Sequence, residues 1–132
     1  MATVIRSFEL PFPPSVNHYY RRVGQATLIS REGRRYRSEV ASLLAATRVD
    51  PLLGRLAAVL DLRPPNRRSF DVDNRLKAAL DAMEHAGVYA NDAQIELLIA
   101  WKGSVAPGGQ MHVRLESLPA RRCPLCQGQW TQ

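Results

Sequence analysis

The sequence predicts a single α+β domain, in which a mixed β-sheet carries two main helices. Its length of 132 residues is that of one domain. Strand-like runs with alternating apolar residues lie on both sides of two segments with helical periodicity. Clusters of proline and glycine separate these runs. We assign residues 1–118 to the domain and residues 119–132 to a C-terminal tail that we expect to be flexible.

The first half of the chain predicts two strands and a long helix. Residues 4–10 alternate loosely, as in a strand with one buried face, and three prolines follow them closely. Residues 27–30 predict a strand that returns across a glycine turn. Ser30 is a typical N-cap for a helix that runs to about residue 48. Its buried stripe is predicted to comprise Tyr36, Val40, Leu43, Leu44 and Thr47.

The second half predicts three further strands. Residues 55–63 are almost continuously apolar, which favours a central strand. Residues 95–101 predict another strand, and residues 112–116 are expected to be its hairpin partner. The loop over residues 102–110 contains the breakers Pro and Gly between these two strands.

A second amphipathic helix lies between the central strand and the strand at residues 95–101. Asp73 or Asn74 is suited to cap its N-terminus, and Gly87 to end it at C′. The apolar face has the i, i+4, i+7 spacing of a helix. It comprises Leu76, Ala79, Leu80, Ala82 and Met83.

Two carboxylates stand at the start of this helix. In a helix, Asp71 and Asp73 would point about 200° apart, whereas at the extended end of a strand residues i and i+2 share one face. A strand that enters the helix at Asp73 would therefore aim both carboxylates the same way. Lys77 lies one helical turn after Asp73, on the same side.

Two interpretations of these acids stay open from the residues alone. Convergent carboxylates suit a hard cation such as Mg²⁺ or Mn²⁺, which binds through carboxylates, water and substrate phosphate. Alternatively, Asp71 is a surface acid, Asp73 a helix cap and Lys77 a salt-bridge partner. The chain uses arginine for 16 of its 18 basic residues, and lysine only at Lys77 and Lys102. A lysine beside the acids favours the first interpretation, because its ammonium is a compact point charge.

Four motifs together resemble the RusA-type Holliday junction resolvases. They are LPFPPSVNHYYR at residues 10–21, DVDNRLK at residues 71–77, AALDAMEHAG at residues 78–87 and NDAQ at residues 91–94. The resemblance extends over about residues 4–118, with the motifs in order and closely spaced. Each motif alone is weak, but the set is specific.

The resemblance implies that Asp71, Asp73 and Asp92 bind Mg²⁺, with Mn²⁺ as an alternative, and that Lys77 assists catalysis. Asn91 replaces an acid that some members of the family carry. By resemblance, the chain would be a metal-dependent endodeoxyribonuclease that resolves four-way DNA junctions by paired, symmetric nicking in recombination and repair. It would act as a homodimer, because a four-way junction has two strands to cut.

The charge of the chain agrees with a DNA partner. The formal net charge is +6 and the sequence pI about 10.0, which favours a polyanion without proving one. Arg67 and Arg68 lie just before the acids, where the neighbours of a scissile phosphate would be. Ordinary solvated surface is the alternative for the remaining candidates. They are Asn17, Tyr20, Arg21, Arg22, Arg34 and Arg35.

Two rival functions remain. One is a non-catalytic DNA-binding protein on the same fold, and the other is a nuclease for other branched DNA. The complete set of acids and Lys77 favours an enzyme over the first rival. The sequence has no apolar run long enough to span a membrane and no signal peptide. We therefore expect a cytoplasmic protein, encoded by a bacterium or a phage.

The predicted tail contains Cys123 and Cys126, the two cysteines of the chain. A Cys-x-x-Cys pair resembles half of a zinc ribbon, but a structural zinc site needs four ligands. Two tails could supply four ligands in a dimer. We favour the simpler interpretation, a tail that binds no metal.

Overall fold

The fold is that of a computed structural model, which describes residues 3–47, 50–118 and 125–126. It confirms the α+β class, with a four-stranded mixed sheet, a second two-stranded sheet and helices packed on them. The elements are β1 (Ile5–Leu10), α1 (Val16–Tyr19), β2 (Tyr20–Val23), β3 (Ala26–Ile29), α2 (Arg31–Ala45), β4 (Leu56–Arg63), α3 (Asp73–His85), a 3₁₀ turn (Asp92–Gln94), β5 (Ile95–Lys102) and β6 (Gln110–Ser117).

The main sheet has the strand order β1-β6-β4-β5. Strand β4 pairs parallel with β5 and antiparallel with β6, and β6 pairs antiparallel with β1. The prediction of a central strand at β4 is confirmed. Because parallel neighbours need a crossover connection, α3 lies between β4 and β5 in the chain. This crossover brings the start of α3 to the edge strand β5.

The predicted hairpin between β5 and β6 is wrong, because β4 lies between these two strands. Their connecting loop crosses the end of β4. There, Gly103 N donates to Leu62 O at 2.7 Å and Ala106 N donates to Pro64 O at 2.9 Å. An apolar pattern identifies a strand, but it does not determine which strand becomes its neighbour.

The core lies between one face of the main sheet and helices α2 and α3. Tyr36, Val40 and Leu44 of α2 are buried as predicted, but Leu43 is 47% exposed and Thr47 is exposed. Most of the other members of this core come from β1, β4, β6 and α3. They include Leu10, Leu56, Leu60, Leu62, Ala78, Ala79, Ala82, Met83, Met111 and Leu115.

The start of α2 follows the predicted capping. Ser30 is the N-cap, and its hydroxyl oxygen accepts from Gly33 N at 2.9 Å. Gly33 is buried against the backbone carbonyl of Tyr19, which a Cβ at this position would overlap. The glycine thus allows α2 to pack directly on α1, a short helix that the sequence did not reveal.

The ends of α3 agree only partly with the prediction. The helix begins at Asp73, with Val72 at the N-cap position and no side-chain cap, so neither Asp73 nor Asn74 is the cap. At the other end Gly87 has φ +82°, directly after the C-cap Ala86. The glycine stop at C′ is therefore confirmed.

Helices among the described residues are too short or too polar to cross a membrane. Of the tail, the structure describes only Leu125 and Cys126, and the Cys126 thiol is exposed and free. Cys123 and the rest of the tail lie outside the described residues, so the flexible tail and the zinc alternative stay predictions.

Candidate active site

Asp71 and Asp73 line one cleft of about 490 Å³ between the start of α3 and strand β5. The backbone conformation that brings these two carboxylates together differs from the prediction. Strand β4 ends at Arg63, and Asp71 lies in irregular chain rather than at the end of a strand. Asp73 is the first residue of α3. The walls of the cleft are completed mainly by Phe70, Leu76, Leu98, Ala100 and Lys102.

An aromatic and cationic cluster holds the chain before Asp71. The rings of Phe70 and Phe12 meet edge-to-face with centroids 5.3 Å apart. The Arg75 guanidinium lies 5.0 Å from the Phe12 ring centroid and 5.8 Å from that of Phe70, and its Nη1 donates to Pro13 O at 2.9 Å. Partial burial lowers the pKa of Arg75. The opening LPFPP motif thus supports the loop that carries Asp71.

Lys77 and Asp92 form a pair further along α3. The Lys77 Nζ lies 3.5 Å from Asp92 Oδ2, with the lysine side chain 51% exposed. Partial burial acts to lower the pKa of Lys77, but the negative charges of Asp92 and nearby groups outweigh it and leave the pKa raised. Lys77 therefore stays an ammonium at neutral pH, which disfavours a role as general base.

A tight turn fixes Asp92. Asn91 and Gln94 form a capping box, in which Asn91 Oδ1 accepts from Ala93 N at 2.8 Å and Gln94 Oε1 accepts from Asn91 N at 3.1 Å. The backbone N of Asp92 donates to Glu84 Oε1 on α3 at 2.8 Å. An asparagine is suited to this N-cap position, which gives the departure at Asn91 a local structural role.

The three predicted metal ligands are not gathered into one cluster. Across residues 3–47 and 50–118, no group of three or more His, Cys, Asp or Glu side chains lies close enough to hold a metal ion. Asp71 and Asp73 share a cleft, whereas Asp92 is paired with Lys77. Two carboxylates of this kind fit Mg²⁺, which keeps several waters and commonly binds through one or two carboxylates plus substrate phosphate.

Asp81, on the same helix, has a different environment. Its Oδ2 accepts from the Tyr19 hydroxyl and from Arg37 Nη2, the latter at 2.5 Å. Arg37 Nε also donates to the Tyr19 oxygen at 2.8 Å. Burial acts to raise the pKa of Asp81, but the hydrogen bonds from Tyr19 and Arg37 outweigh it and lower the pKa. Asp81 therefore has a structural role, in a hydrogen-bonded ion pair with Arg37 and Tyr19.

The predicted DNA-contacting residues of the first half lie at the surface near α1 and β2. Asn17, Arg21 and Arg22 are exposed. Tyr20 is half-buried, and its ring meets that of Tyr19 edge-to-face with centroids 4.8 Å apart. Burial, followed by the negative charge of Asp81, raises the pKa of Tyr20, on which the charges of the Lys77–Asp92 pair also act. Tyr20 thus lies within electrostatic range of Asp81 and of the Lys77–Asp92 pair.

The remaining arginine candidates are also exposed. Arg67 and Arg68 lie in the loop that leads to Asp71, as predicted. Arg34 Nη1 donates to Ile29 O at 2.8 Å at the end of β3, and Arg35 lies on the exposed side of α2. All four arginines are accessible to a polyanion. Of the four, Arg67 and Arg68 are close in sequence to Asp71 and Asp73.

Sequence reasoning missed the part that Lys102 and Phe70 have in the cleft. The Lys102 Nζ lies 4.9 Å from the Phe70 ring centroid. The rarity of lysine could have pointed to Lys102, because each lysine of this chain lies near a predicted metal ligand. Lys77 contacts Asp92, and Lys102 lines the cleft of Asp71 and Asp73. Arg37 and Tyr19 were missed as the partners of Asp81, because nothing local marks a contact between residues 44 or 62 positions apart.

The sequence of the chain matches a family of DNA endonucleases. Residues 11–116 match the model of the family described as Endodeoxyribonuclease RusA. A crossover junction endodeoxyribonuclease of Enterobacteria phage HK97 is 34% identical over 114 residues, which are 84% of this chain and 93% of the relative. The chain therefore belongs to the RusA family.

Two further relatives carry the same name. The crossover junction endodeoxyribonuclease of Escherichia coli K12 is 35% identical over 113 residues, 85% of this chain and 94% of the relative. That of Enterobacteria phage 82 is 36% identical over 110 residues, 83% of this chain and 92% of the relative. The match thus covers nearly the whole length of each relative.

Proposed function

We propose that this protein is an endodeoxyribonuclease that resolves four-way DNA junctions by hydrolysing phosphodiesters in two strands. The observation that carries the proposal is the cleft shared by Asp71 and Asp73 in a chain of the RusA family. An acidic cleft beside exposed arginines suits phosphodiester hydrolysis, because the acids bind a cation and the arginines bind the flanking phosphates.

The proposed metal ligands are Asp71, Asp73 and Asp92, with Mg²⁺ as the ion and Mn²⁺ as the alternative. Asp71 and Asp73 present oxygen donors to one cleft, which supports the first two assignments. The assignment of Asp92 depends on its position in the family motif. When bound, the ion supplies an activated water and stabilises charge on the departing oxygen.

Lys77 is proposed to stabilise negative charge on the phosphoryl oxygens. Its raised pKa and its half-exposed ammonium support this electrostatic role. Asp92 would hold the ammonium at 3.5 Å until a substrate phosphate can share it. The basic loop at Arg67 and Arg68 and the surface around Tyr20 are proposed to bind the flanking DNA.

We propose further that two copies pair through the sheet face opposite the helices. This face has a second cavity of about 490 Å³, and Trp101 at its edge is 44% exposed. The cavity is lined by acids and bases together, among them Glu9, Asp61 and Arg114. A twofold axis through such a mixed surface would set opposite charges against each other.

Cleavage of an end-labelled mobile four-way junction tests the function. With Mg²⁺ we expect paired, symmetric nicks on the junction and none on duplex DNA, and EDTA should abolish them. Cleavage of a flap substrate instead would favour a nuclease for other branched DNA. Binding without cleavage under Mg²⁺ and Mn²⁺ would replace the proposal with a non-catalytic DNA-binding protein on the same fold.

Sedimentation of the free protein tests the pairing. The wild type is expected to sediment as a dimer and Trp101→Glu as a monomer, because the new charge would be buried against the partner. Leu53→Glu is the matched control, since Leu53 is also an exposed apolar residue but lies between α2 and β4. A monomeric wild type, or a Trp101→Glu variant that remains dimeric, would contradict this interface.

A further inference from the structure

Lys102 is the last residue of β5 and lies in the same cleft as Asp71 and Asp73. Its side chain is exposed, and its Nζ lies 4.9 Å from the centroid of the Phe70 ring. Among residues 3–47 and 50–118, no carboxylate lies within 4.0 Å of this ammonium. The charge is therefore positioned by an aromatic face and not neutralised by an acid.

The two lysines of the chain thus have different contacts. Lys77 is engaged by Asp92 at 3.5 Å, whereas Lys102 rests on Phe70. An ammonium has three donors, and contact with a ring face leaves most of them directed away from the ring. Lys102 can therefore donate to a new anion without first breaking an ion pair.

The surroundings of Lys102 select the kind of anion. Strand β5 is the edge of the main sheet, with β4 as its neighbour in the described sheet. The cleft is open, and Leu98 and Ala100 of β5 form an apolar floor beside the charge. An extended polyanion that crosses the two carboxylates would bring one of its phosphates to the end of β5.

We propose that Lys102 binds a backbone phosphate of the DNA next to the phosphodiester that is cut, and that Phe70 positions its ammonium. This inference rests on the proposed function and adds a second lysine to the site. The contact would place the substrate strand over Asp71 and Asp73. Lys102 would thereby contribute both to DNA binding and to the alignment of the scissile phosphate.

Salt-dependent binding provides the test. The full-length protein is titrated onto a labelled four-way junction in EDTA at several salt concentrations, and the slope of log Kd against log salt is measured. Lys102→Gln is expected to reduce this slope by about 0.9, the value of one lost phosphate contact. Lys102→Arg should keep the slope, since it retains the charge.

Arg6→Gln is the matched control for the loss of one positive charge. Arg6 lies on β1, at the opposite edge of the main sheet from β5, so its substitution should leave the slope unchanged. Phe70→Leu keeps the apolar contact but removes the ring. It should keep the slope nearly unchanged and lower the single-turnover cleavage rate about tenfold, because the ammonium loses its position.

The outcomes separate this inference from the proposed function. A slope for Lys102→Gln equal to those of the wild type and Arg6→Gln would overturn the inference and leave the nuclease intact. A wild type that binds junctions but does not cut them would refute the nuclease, while a reduced slope would still support the phosphate contact. Absence of junction binding by the wild type would overturn both.

Discussion

Helix α3 and its approach carry acids in two contrasting environments. The Asp81 side chain is 13% exposed and accepts hydrogen bonds from Tyr19 and Arg37. Asp71 is exposed, and among the described residues its side chain accepts one hydrogen bond, of 3.3 Å from Asn74 Nδ2. Asp73 is exposed and has no side-chain hydrogen bond or ion pair within the part of the chain that the structure describes.

The contrast distinguishes acids that stabilise from acids that are available to bind. The Asp81 carboxylate already has a cationic partner in Arg37 and a hydroxyl donor in Tyr19, both on Oδ2, and its loss leaves the partly buried Arg37 without a carboxylate. Carboxylates that share an open cleft repel each other and gain from an added cation. Helix α3 and the residues just before it thus hold both a structural acid and acids available for binding.

The largest expected effect is on catalysis, at Asp73. Asp73→Asn should reduce the rate of junction cleavage by about 1,000-fold, because a metal ligand contributes several kcal/mol of transition-state stabilisation. Junction binding should stay intact or become tighter, since negative charge is removed. Single-turnover cleavage and fluorescence anisotropy measure the two quantities. Normal cleavage by this variant would show that the acids have been assigned wrongly.

Asp50→Asn is the matched control for that change. Asp50 is exposed in the connection between α2 and β4 and is distant in sequence from the cleft residues. The variant loses the same charge and should cleave at the wild-type rate. A comparable loss at both positions would indicate an effect of net charge and would remove the distinction between the two kinds of acid.

Lys77 should show the next largest effect. Lys77→Gln is expected to lower the cleavage rate by roughly 100-fold, the cost of removing one charged donor from a transition state. Its effect on junction affinity should be small, because a single phosphate contact is involved. Lys77→Arg should recover part of the rate. If Lys77→Gln affected only the melting temperature, its pair with Asp92 would be structural like that of Asp81.

Substitution of Asp81 should lower the stability of the fold and leave the cleavage rate of the folded protein unchanged. Asp81→Ala leaves Arg37 partly buried without its carboxylate, so the free energy of unfolding should fall by about 2–3 kcal/mol. Denaturant unfolding measures this change. Cleavage per folded molecule at low temperature should match the wild type, and a variant that folds well but fails to cut would move Asp81 into the active site.

The smallest effect concerns the pH dependence of stability. The pKa of Asp81 is lowered in the folded state from its ordinary value of 3.8, so its stabilisation is present above that value and is lost as the pH falls through the folded value. The difference in stability between wild type and Asp81→Asn should therefore shrink as the pH is lowered from 5 to 3. Unfolding curves at a series of pH values would measure it, and a constant difference would show that the ionised form is not favoured.

Much of this architecture could be predicted from local sequence. The N-cap Ser30, the glycine stop at Gly87 and the strand at β4 follow from patterns within a few residues. The failures have a common cause. The capping assignment at Asp73 and the extended conformation expected at Asp71 required a strand that leads into α3 at Asp73, whereas Asp71 lies in irregular chain that is held by Phe12 and Arg75.

The candidate site was predictable as a set of residue types, but its arrangement was not. The motif at residues 71–77 and Asp92 identify the acids and Lys77. Their separation into a cleft pair and an ion pair with Lys77 depends on where the 3₁₀ turn docks against α3. That docking is a contact between separate elements, for which a linear motif carries no geometry.

By itself, the sequence determined the fold class, the family motifs and most element boundaries, because helical and strand periodicities and caps are set by near neighbours in the chain. Only the tertiary structure decided that β4 separates β5 from β6, that Asp81 is held by Arg37 and Tyr19, and that Lys102 lies against Phe70. These outcomes depend on strand order and helix docking. They bring together residues that are far apart in the chain, and their energies come from contacts that exist only once the core has formed.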